Sequence, residues 1–143
     1  MKIYIAGPIS GLSYDEVESF FLTKAAALTK SGHTVLSPML GKENLRNEIE
    51  LRGYGYKGPT TTNHAIFERD KWMVTQSDAV FADLSQAKRV SIGTVFELAW
   101  ASFLGKHTVV VMGEVHRHAF VLEAADIVFK TEEEALDYLY EMR

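Results

Sequence analysis

Hydrophobic positions along the chain form short continuous runs, separated by stretches in which they recur at helical spacing. Lys2 to Ala6 is a short apolar run, as expected of a strand buried in a parallel sheet. Gly7-Pro8-Ile9-Ser10-Gly11 then reads as a turn. Ser13 with Glu16 three residues later forms a capping box. It opens a helix with the apolar stripe Val17, Phe20, Phe21, Ala25 and Leu28, which Gly32 ends. Thr34 to Ser37 predicts a second strand, stopped by Pro38. Residues 39 to 62 show no period and carry Arg46, Arg52, Lys57, Pro59, several glycines and a run of threonines. A loop that long in a small domain is usually functional or mobile.

Asn63 to Gln76 predicts a second helix, Ala79 to Leu84 a third strand and Gln86 to Val90 a short polar connection. The stretch SIGTVFELAWASFL follows, residues 91 to 104, with Glu97 as its only charge. It reads as a helix starting just after Gly93-Thr94 and ending at Gly105, apolar on nearly every face and therefore expected to be buried on nearly every face. His107 to Met112 predicts a fourth strand and Asp126 to Phe129 a fifth. Thr131 caps a final helix through Tyr140. Strands alternating with helices point to βαβ units and one parallel sheet covered on both sides. There is no internal repeat, and residues 1–143 read as a single domain.

Composition narrows the function classes more than it identifies one. Apolar residues make up 47% and charged residues 24%, ordinary for a globular protein. A net charge of −4 gives no footprint for a nucleic acid polymer. The absence of cysteine removes disulfides and thiolate metal sites. The run before Gly7-Pro8 is too short for a signal peptide or a membrane span, so no membrane association and a cytoplasmic location are the expectation.

Candidate chemistry gathers where strands end and helices begin, which is where open α/β sheets place ligands. Glu97 falls in the first turns of such a helix, and a buried carboxylate is costly unless paired or shifted in pKa. It is the foremost candidate for a covalent or acid/base catalyst. Asp70 shares the apolar stripe of Ile66, Phe67, Met73 and Val74 and so also points inward. Tyr4 belongs either to the core or to the site. The turn holding Gly7, Ile9 and Ser10 is either a plain turn or a cradle of backbone N–H groups for a phosphate. Asp83, in Asp83-Leu84-Ser85, either binds ligand or caps a turn. Ser91, with Gly93 and Thr94, is either an ordinary N-cap or an anion contact. His116 and His118 flank Arg117, which suggests an anion contact rather than a metal site. There is no GxGxxG, Walker lysine, HExxH or Gly-x-Ser-x-Gly, so dinucleotide binding, metal and acyl transfer are all disfavoured, and no cofactor is implied.

These residues carry a resemblance. IYIAGPIS at the start, Asp70 followed by SDAVFADL, the SxGTxxELxxA pattern around Glu97, and then Gly-Lys and an apolar strand are similar to nucleoside 2-deoxyribosyltransferases and the related nucleoside 5′-monophosphate N-glycosidases. The match runs from residue 3 to about 112. It implies a flavodoxin-like, doubly wound sandwich with a five-stranded parallel sheet, and an active site shared between subunits of a homodimer or higher homo-oligomer. It implies that Glu97 is the nucleophile that forms a glycosyl-enzyme, that Asp70 assists departure of the base, and that Tyr4 holds the nucleophile.

One departure bears on the substrate. Transferases of free nucleosides usually carry an aspartate six residues before the nucleophile, where this chain has Ser91. The monophosphate N-glycosidases also carry serine there, against the 5′-phosphate. A carboxylate would repel that phosphate, whereas a serine at a helix start accepts it. By the same resemblance Arg117 and His118 lie where the family reaches across the dimer toward the 5′ end, and the segment Glu114 to Val121 is the expected dimer face. The first turn lacks the extra arginine of some N-glycosidases. The expectation is therefore an enzyme that cleaves the N-glycosidic bond of 2′-deoxynucleosides or, by preference, their 5′-monophosphates. The alternative is a non-catalytic nucleotide-binding module, which has no need of a buried nucleophile.

Overall fold

In the computed structural model, which describes residues 1–143, the apolar runs become strands β1 (Lys2–Ala6), β2 (Thr34–Leu36), β3 (Ala79–Asp83), β4 (His107–Val111) and β5 (Ile127–Phe129). They pair in parallel throughout, in the order β2-β1-β3-β4-β5. The helices are α1 (Tyr14–Lys30), α2 (Asn63–Gln76), α3 (Ile92–Phe103), α4 (Ala119–Ala124) and α5 (Glu132–Glu141). Short 3-10 turns lie at Glu43–Leu45 and Glu114–His116. This strand order is the flavodoxin-like doubly wound arrangement. Its chain path reverses beside β1 and β3, and ligands bind at such a reversal.

Side chains alternate across the strands and divide the core in two. Ile3, Ile5, Phe81 and Val109 pack with Val17, Phe21 and Leu28 of α1 and Leu139 of α5. Tyr4, Ala6, Val80, Ala82 and Val110 pack with Met73 and Val74 of α2 and Leu98 and Ala101 of α3. The alternation thus turns Tyr4 toward α2 and α3. It turns Asp83, in phase with Ala79 and Phe81, the other way.

Local signals explain the helix starts. Ser13 Oγ accepts from Glu16 N and the Glu16 carboxylate accepts from Ser13 N, the two halves of the capping box. Thr131 and Glu134 repeat that device at α5. The irregular segment 39–62 is tied down rather than loose: Leu51 N donates to Leu12 O (2.7 Å) and Gly11 N donates to Leu51 O (2.8 Å). These bonds fold it over the first turn.

Several expectations need correction. β2 ends at Leu36 and β3 at Asp83, each one residue short of the sequence reading, and β5 begins at Ile127. α4, too short to show a period, went unpredicted. α3 begins at Ile92, with Ser91 as its cap, rather than after Gly93-Thr94. Nor is α3 buried on nearly every face. Thr94, Glu97, Leu98 and Ala101 point inward, but Ile92 is 69% and Phe103 90% exposed. An all-apolar helix reads the same whether its second face meets the core of its own chain or awaits another surface.

Candidate active site

The carboxyl ends of β1 and β3, the first turns of α3, the middle of α2 and the tied-down loop enclose a cavity of about 690 Å³. Gly7, Ile9 and Ser10 line it from the first turn, Asp70 from α2, and Ser91, Gly93, Thr94 and Glu97 from α3. Gly7 is required where it stands, since a β-carbon there would lie 2.6 Å from Cε1 of Phe20.

Glu97 sits one turn into α3, 6% exposed, and its Oε1 accepts a 2.6 Å hydrogen bond from the Tyr4 hydroxyl. Tyr4 has no exposed surface, so this bond is the only outlet for its hydroxyl. When Glu97 is ionised this bond becomes a strong, charge-assisted contact. Burial, reinforced by the nearby Asp70 charge, pushes the Glu97 carboxyl up to about 8, while the Tyr4 bond and the Lys42 ammonium pull the other way. Burial and then the Glu97 and Asp70 charges hold the Tyr4 hydroxyl well above its ordinary range, so it stays a donor.

Asp70 lies on the buried side of α2, as its stripe predicts. Its Oδ1 is buried with no hydrogen-bond partner. Neighbouring residues on a helix diverge, yet Arg69 Nε still comes to 3.9 Å from that oxygen. The contact is loose, because the guanidinium is committed elsewhere and Arg69 Nη1 donates to Thr60 O at 2.7 Å. Burial raises the Asp70 pKa, against the opposing charges of Lys42 and Arg69. Two carboxyls with raised pKa values, facing one cavity, make a pair suited to divided acid and nucleophile roles.

At the other end of the cavity, Ser91 Oγ pairs with Thr94 Oγ1 (2.8 Å) and does not cap the helix. Ser91 N donates to His116 Nε2 (2.8 Å), which leaves the ring proton on a buried Nδ1. His116 is thus a brace for the start of α3 and is held neutral by burial. The amides of Ile92, Gly93 and Thr94 belong to the first helical turn and have no helical acceptor. Arg52 and Arg89 also line the cavity. Arg52 lies over the Tyr56 ring at 4.4 Å. The Arg89 guanidinium packs directly on Gly11, where φ is +88° and a β-carbon would collide with it. The first turn lacks an arginine of its own, but Arg89 from the β3–α3 connection supplies one.

Four sequence candidates do not line the cavity of this chain: Tyr4, which stands fully buried behind Glu97, and Asp83, Arg117 and His118. Asp83 is 2% exposed and faces α1, where Lys24 Nζ sits 3.0 Å away and Ser85 N and Oγ donate to it at 3.0 and 2.6 Å. Strand parity makes it a structural ion pair and turn cap, which corrects its reading as a ligand contact. Arg117 and His118 are exposed beyond β4, and His118 Nδ1 accepts from Phe120 N to cap α4. Reading the sequence missed Lys42, Arg52, Arg89 and the aromatic group Phe67, Phe96 and Trp100 at the cavity mouth, whose ring centroids lie 5.1–6.4 Å apart. The loop residues follow no period. The aromatics sit in apolar patterns that a core would also produce.

Comparison with known proteins agrees with this architecture. The family model described as nucleoside 2-deoxyribosyltransferase matches residues 3–137. Among solved structures, a 2-deoxyribosyltransferase from Bacillus psychrosaccharolyticus superposes with a TM-score of 0.67 at 22% identity, covering 96% of this chain and 92% of that one. The CMP N-glycosidase of Clostridium botulinum superposes with a TM-score of 0.59 at 18% identity, covering 100% of each chain. No curated protein sequence matches.

Proposed function

Since the chain belongs to the nucleoside 2-deoxyribosyltransferase family, whose members are enzymes of the N-glycosidic bond, we propose that it cleaves that bond in 2′-deoxynucleoside 5′-monophosphates through a glycosyl-Glu97 intermediate. The observation that carries this reading is that Glu97, held by Tyr4 from the buried side, faces the same cavity as Asp70. In the first step the Glu97 carboxylate attacks C1′, the C1′–N bond breaks, and its electron pair leaves with the base. The Asp70 proton passes to the departing base. In the second step the Asp70 carboxylate takes a proton from water or an incoming base. That acceptor attacks C1′ and frees Glu97, so the anomeric configuration is retained over two displacements.

The 5′-phosphate preference rests on charge. A phosphate at the start of α3 meets amides of the first turn, the positive end of the helix and two arginines, Arg52 and Arg89. Ser91 adds a hydroxyl and no negative charge. Gly7, Ile9 and Ser10 close the sugar side.

A second copy of the chain completes the enzyme in this reading. Ile92, Phe96 and Phe103 on α3 and Trp72 on α2 are exposed apolar groups, a concentration that marks an interaction surface. The patch runs into the Phe67–Phe96–Trp100 cluster at the cavity mouth. Arg117 and His118, unused in their own cavity, are assigned to the neighbour's. Phe120, 80% exposed, extends the contact beyond β4.

The test is incubation with each deoxynucleoside and its 5′-monophosphate, with and without a second free base, following base release and exchange. Faster release from monophosphates supports the reading. Preference for free nucleosides replaces it with the plain deoxyribosyltransferase reading, and no base release from either overturns it.

A further inference from the structure

Two lysines of this chain are almost fully buried, and only one is accounted for by the fold. Lys24, 4% exposed, has Asp83 at 3.0 Å, Glu132 at 3.2 Å and the face of Phe20 at 3.6 Å. Lys42 is equally buried, yet no carboxylate lies within 4.0 Å of its ammonium and no acceptor is bonded to it. An unpaired buried ammonium is costly and calls for a reason. Its backbone is firmly set. Gly41 before it takes φ +77°, with the Arg69 guanidinium closing the space a side chain would need. Lys42 N donates to Met39 O at 3.1 Å, and Lys42 O accepts from Leu45 N at 2.9 Å. That turn delivers the side chain into the wall of the cavity that also holds Asp70 and Glu97.

We propose that Lys42 reads the leaving base, donating to a carbonyl oxygen next to the ring nitrogen that Asp70 protonates. The proposal rests on the glycosidic reading above, in which Glu97 addresses C1′ and the α3 start addresses the 5′ end, leaving Lys42 and Asp70 to the base. An ammonium is a donor only. It therefore fits an acceptor and rejects an amino group. Guanine and hypoxanthine place O6 beside N7, and cytosine places O2 beside N3. Each offers one atom to Lys42 and the adjacent one to the Asp70 proton. Adenine places an amino group beside N7 and sets donor against donor. During bond cleavage the C1′–N electron pair moves into the base, Asp70 gives its proton to N7 or N3, and Lys42 keeps all of its own. The ammonium then faces both the carbonyl that gains electron density and the new Asp70 carboxylate. The substrate class assigned is thus the 6-oxopurine and cytosine deoxynucleotides, with adenine disfavoured.

The test compares Lys42→Met and Lys42→Arg with wild type on dIMP, dGMP, dCMP and dAMP. The wild type is expected to favour the oxo-bases over adenine by about 100-fold in kcat/KM, the scale on which a buried donor discriminates. Lys42→Met should lower kcat/KM for the oxo-bases by about 30- to 1000-fold while barely changing adenine, and Lys42→Arg should restore part of the ranking. Denaturation checks that the methionine variant is folded. A binding arm keeps this test separate from that of turnover: Glu97→Ala should bind dIMP more tightly than dAMP, and adding Lys42→Met should erase the difference. A wild type that prefers adenine, a Lys42→Met variant that slows every base equally, or dIMP and dAMP binding that ignores Lys42 would overturn the proposal. If no nucleotide is turned over but the binding difference holds and depends on Lys42, base reading stands and the catalytic reading falls.

Discussion

Glu97 and Asp70 titrate as a pair across one cavity. With Glu97 pushed up to about 8, the empty site holds a proton on Glu97 at neutral pH. The proposed chemistry requires that proton on Asp70, with Glu97 ionised. Tyr4, which donates to Glu97 and not to Asp70, biases the exchange in that direction, while Lys42 favours the ionised form of both carboxyls. The active form carries one proton on the pair, so kcat/KM should be bell-shaped and fall above about pH 8, where that proton is lost. In Asp70→Asn the rate should drop roughly 100-fold or more, less for good leaving bases. Its basic limb should vanish, leaving activity that rises with pH as Glu97 ionises. An unchanged bell in Asp70→Asn contradicts the pairing. Stability gives an independent reading. Unfolded Glu97 loses its proton near 4.5 and the folded form near 8. Between these values the native state holds the extra proton, so stability falls as pH rises and levels off above 8. Glu97→Gln removes this loss and should be more stable than wild type at pH 9 by up to about 4 kcal/mol, with the advantage shrinking toward pH 4.5, as denaturant titrations would show. Both carboxylates were legible in the sequence because each interrupts an apolar stripe. Lys42 was not, because a loop without a period says nothing about which side chains turn inward.

At the scale of elements, parity decides roles. Tyr4 lies mid-way along β1 and Asp83 at the end of β3, and alternation sends one to Glu97 and the other to Lys24. Counting alternate residues along AVFAD would have separated them, because Asp83 is in phase with Phe81 of the α1 side. The start of α3 depends on contacts far apart in the chain. Ser91 N is held by His116, 25 residues on, and Arg89 reaches Gly11 of the first turn. No local pattern encodes either contact, so the sequence does not single out Arg89 as a cavity residue. Placing a carboxylate at this helix start should repel phosphate. Ser91→Asp should weaken monophosphate kcat/KM by about 1–3 kcal/mol, the scale of a lost charge-assisted bond, and shift preference toward the free nucleoside. Equal effects on nucleoside and monophosphate would remove Ser91 from the phosphate contact.

For the molecule as a whole, the alternation of strand and helix patterns predicts one parallel sheet covered on both sides, and the resemblance implies its flavodoxin-like arrangement, as observed. The proposed partner surface is less legible: the sequence points to Glu114–Val121, where Phe120 is exposed and Val121 buried, and the structure adds a broader exposed apolar face on α3, with Ile92, Phe96 and Phe103. Burying that face should hold a dimer together. Phe103→Asp should shift sedimentation toward the monomer and reduce kcat/KM, because each cavity would lose its neighbour's contribution. A wild type that sediments as a fully active monomer contradicts the shared site. The chain has no helix long and apolar enough to cross a membrane.

The central claim is that Glu97 forms a covalent bond to the sugar. A 2′-fluoro-substituted deoxynucleoside 5′-monophosphate carrying guanine slows breakdown of such an intermediate, because fluorine disfavours positive charge at C1′. Mixing it with the enzyme, digesting and weighing the peptides reads the bond directly. The account predicts one equivalent of base released per site and a fluorosugar-phosphate adduct on the peptide bearing Glu97, localised to that residue. Base release with that peptide unmodified, or an adduct on any other side chain, would contradict it.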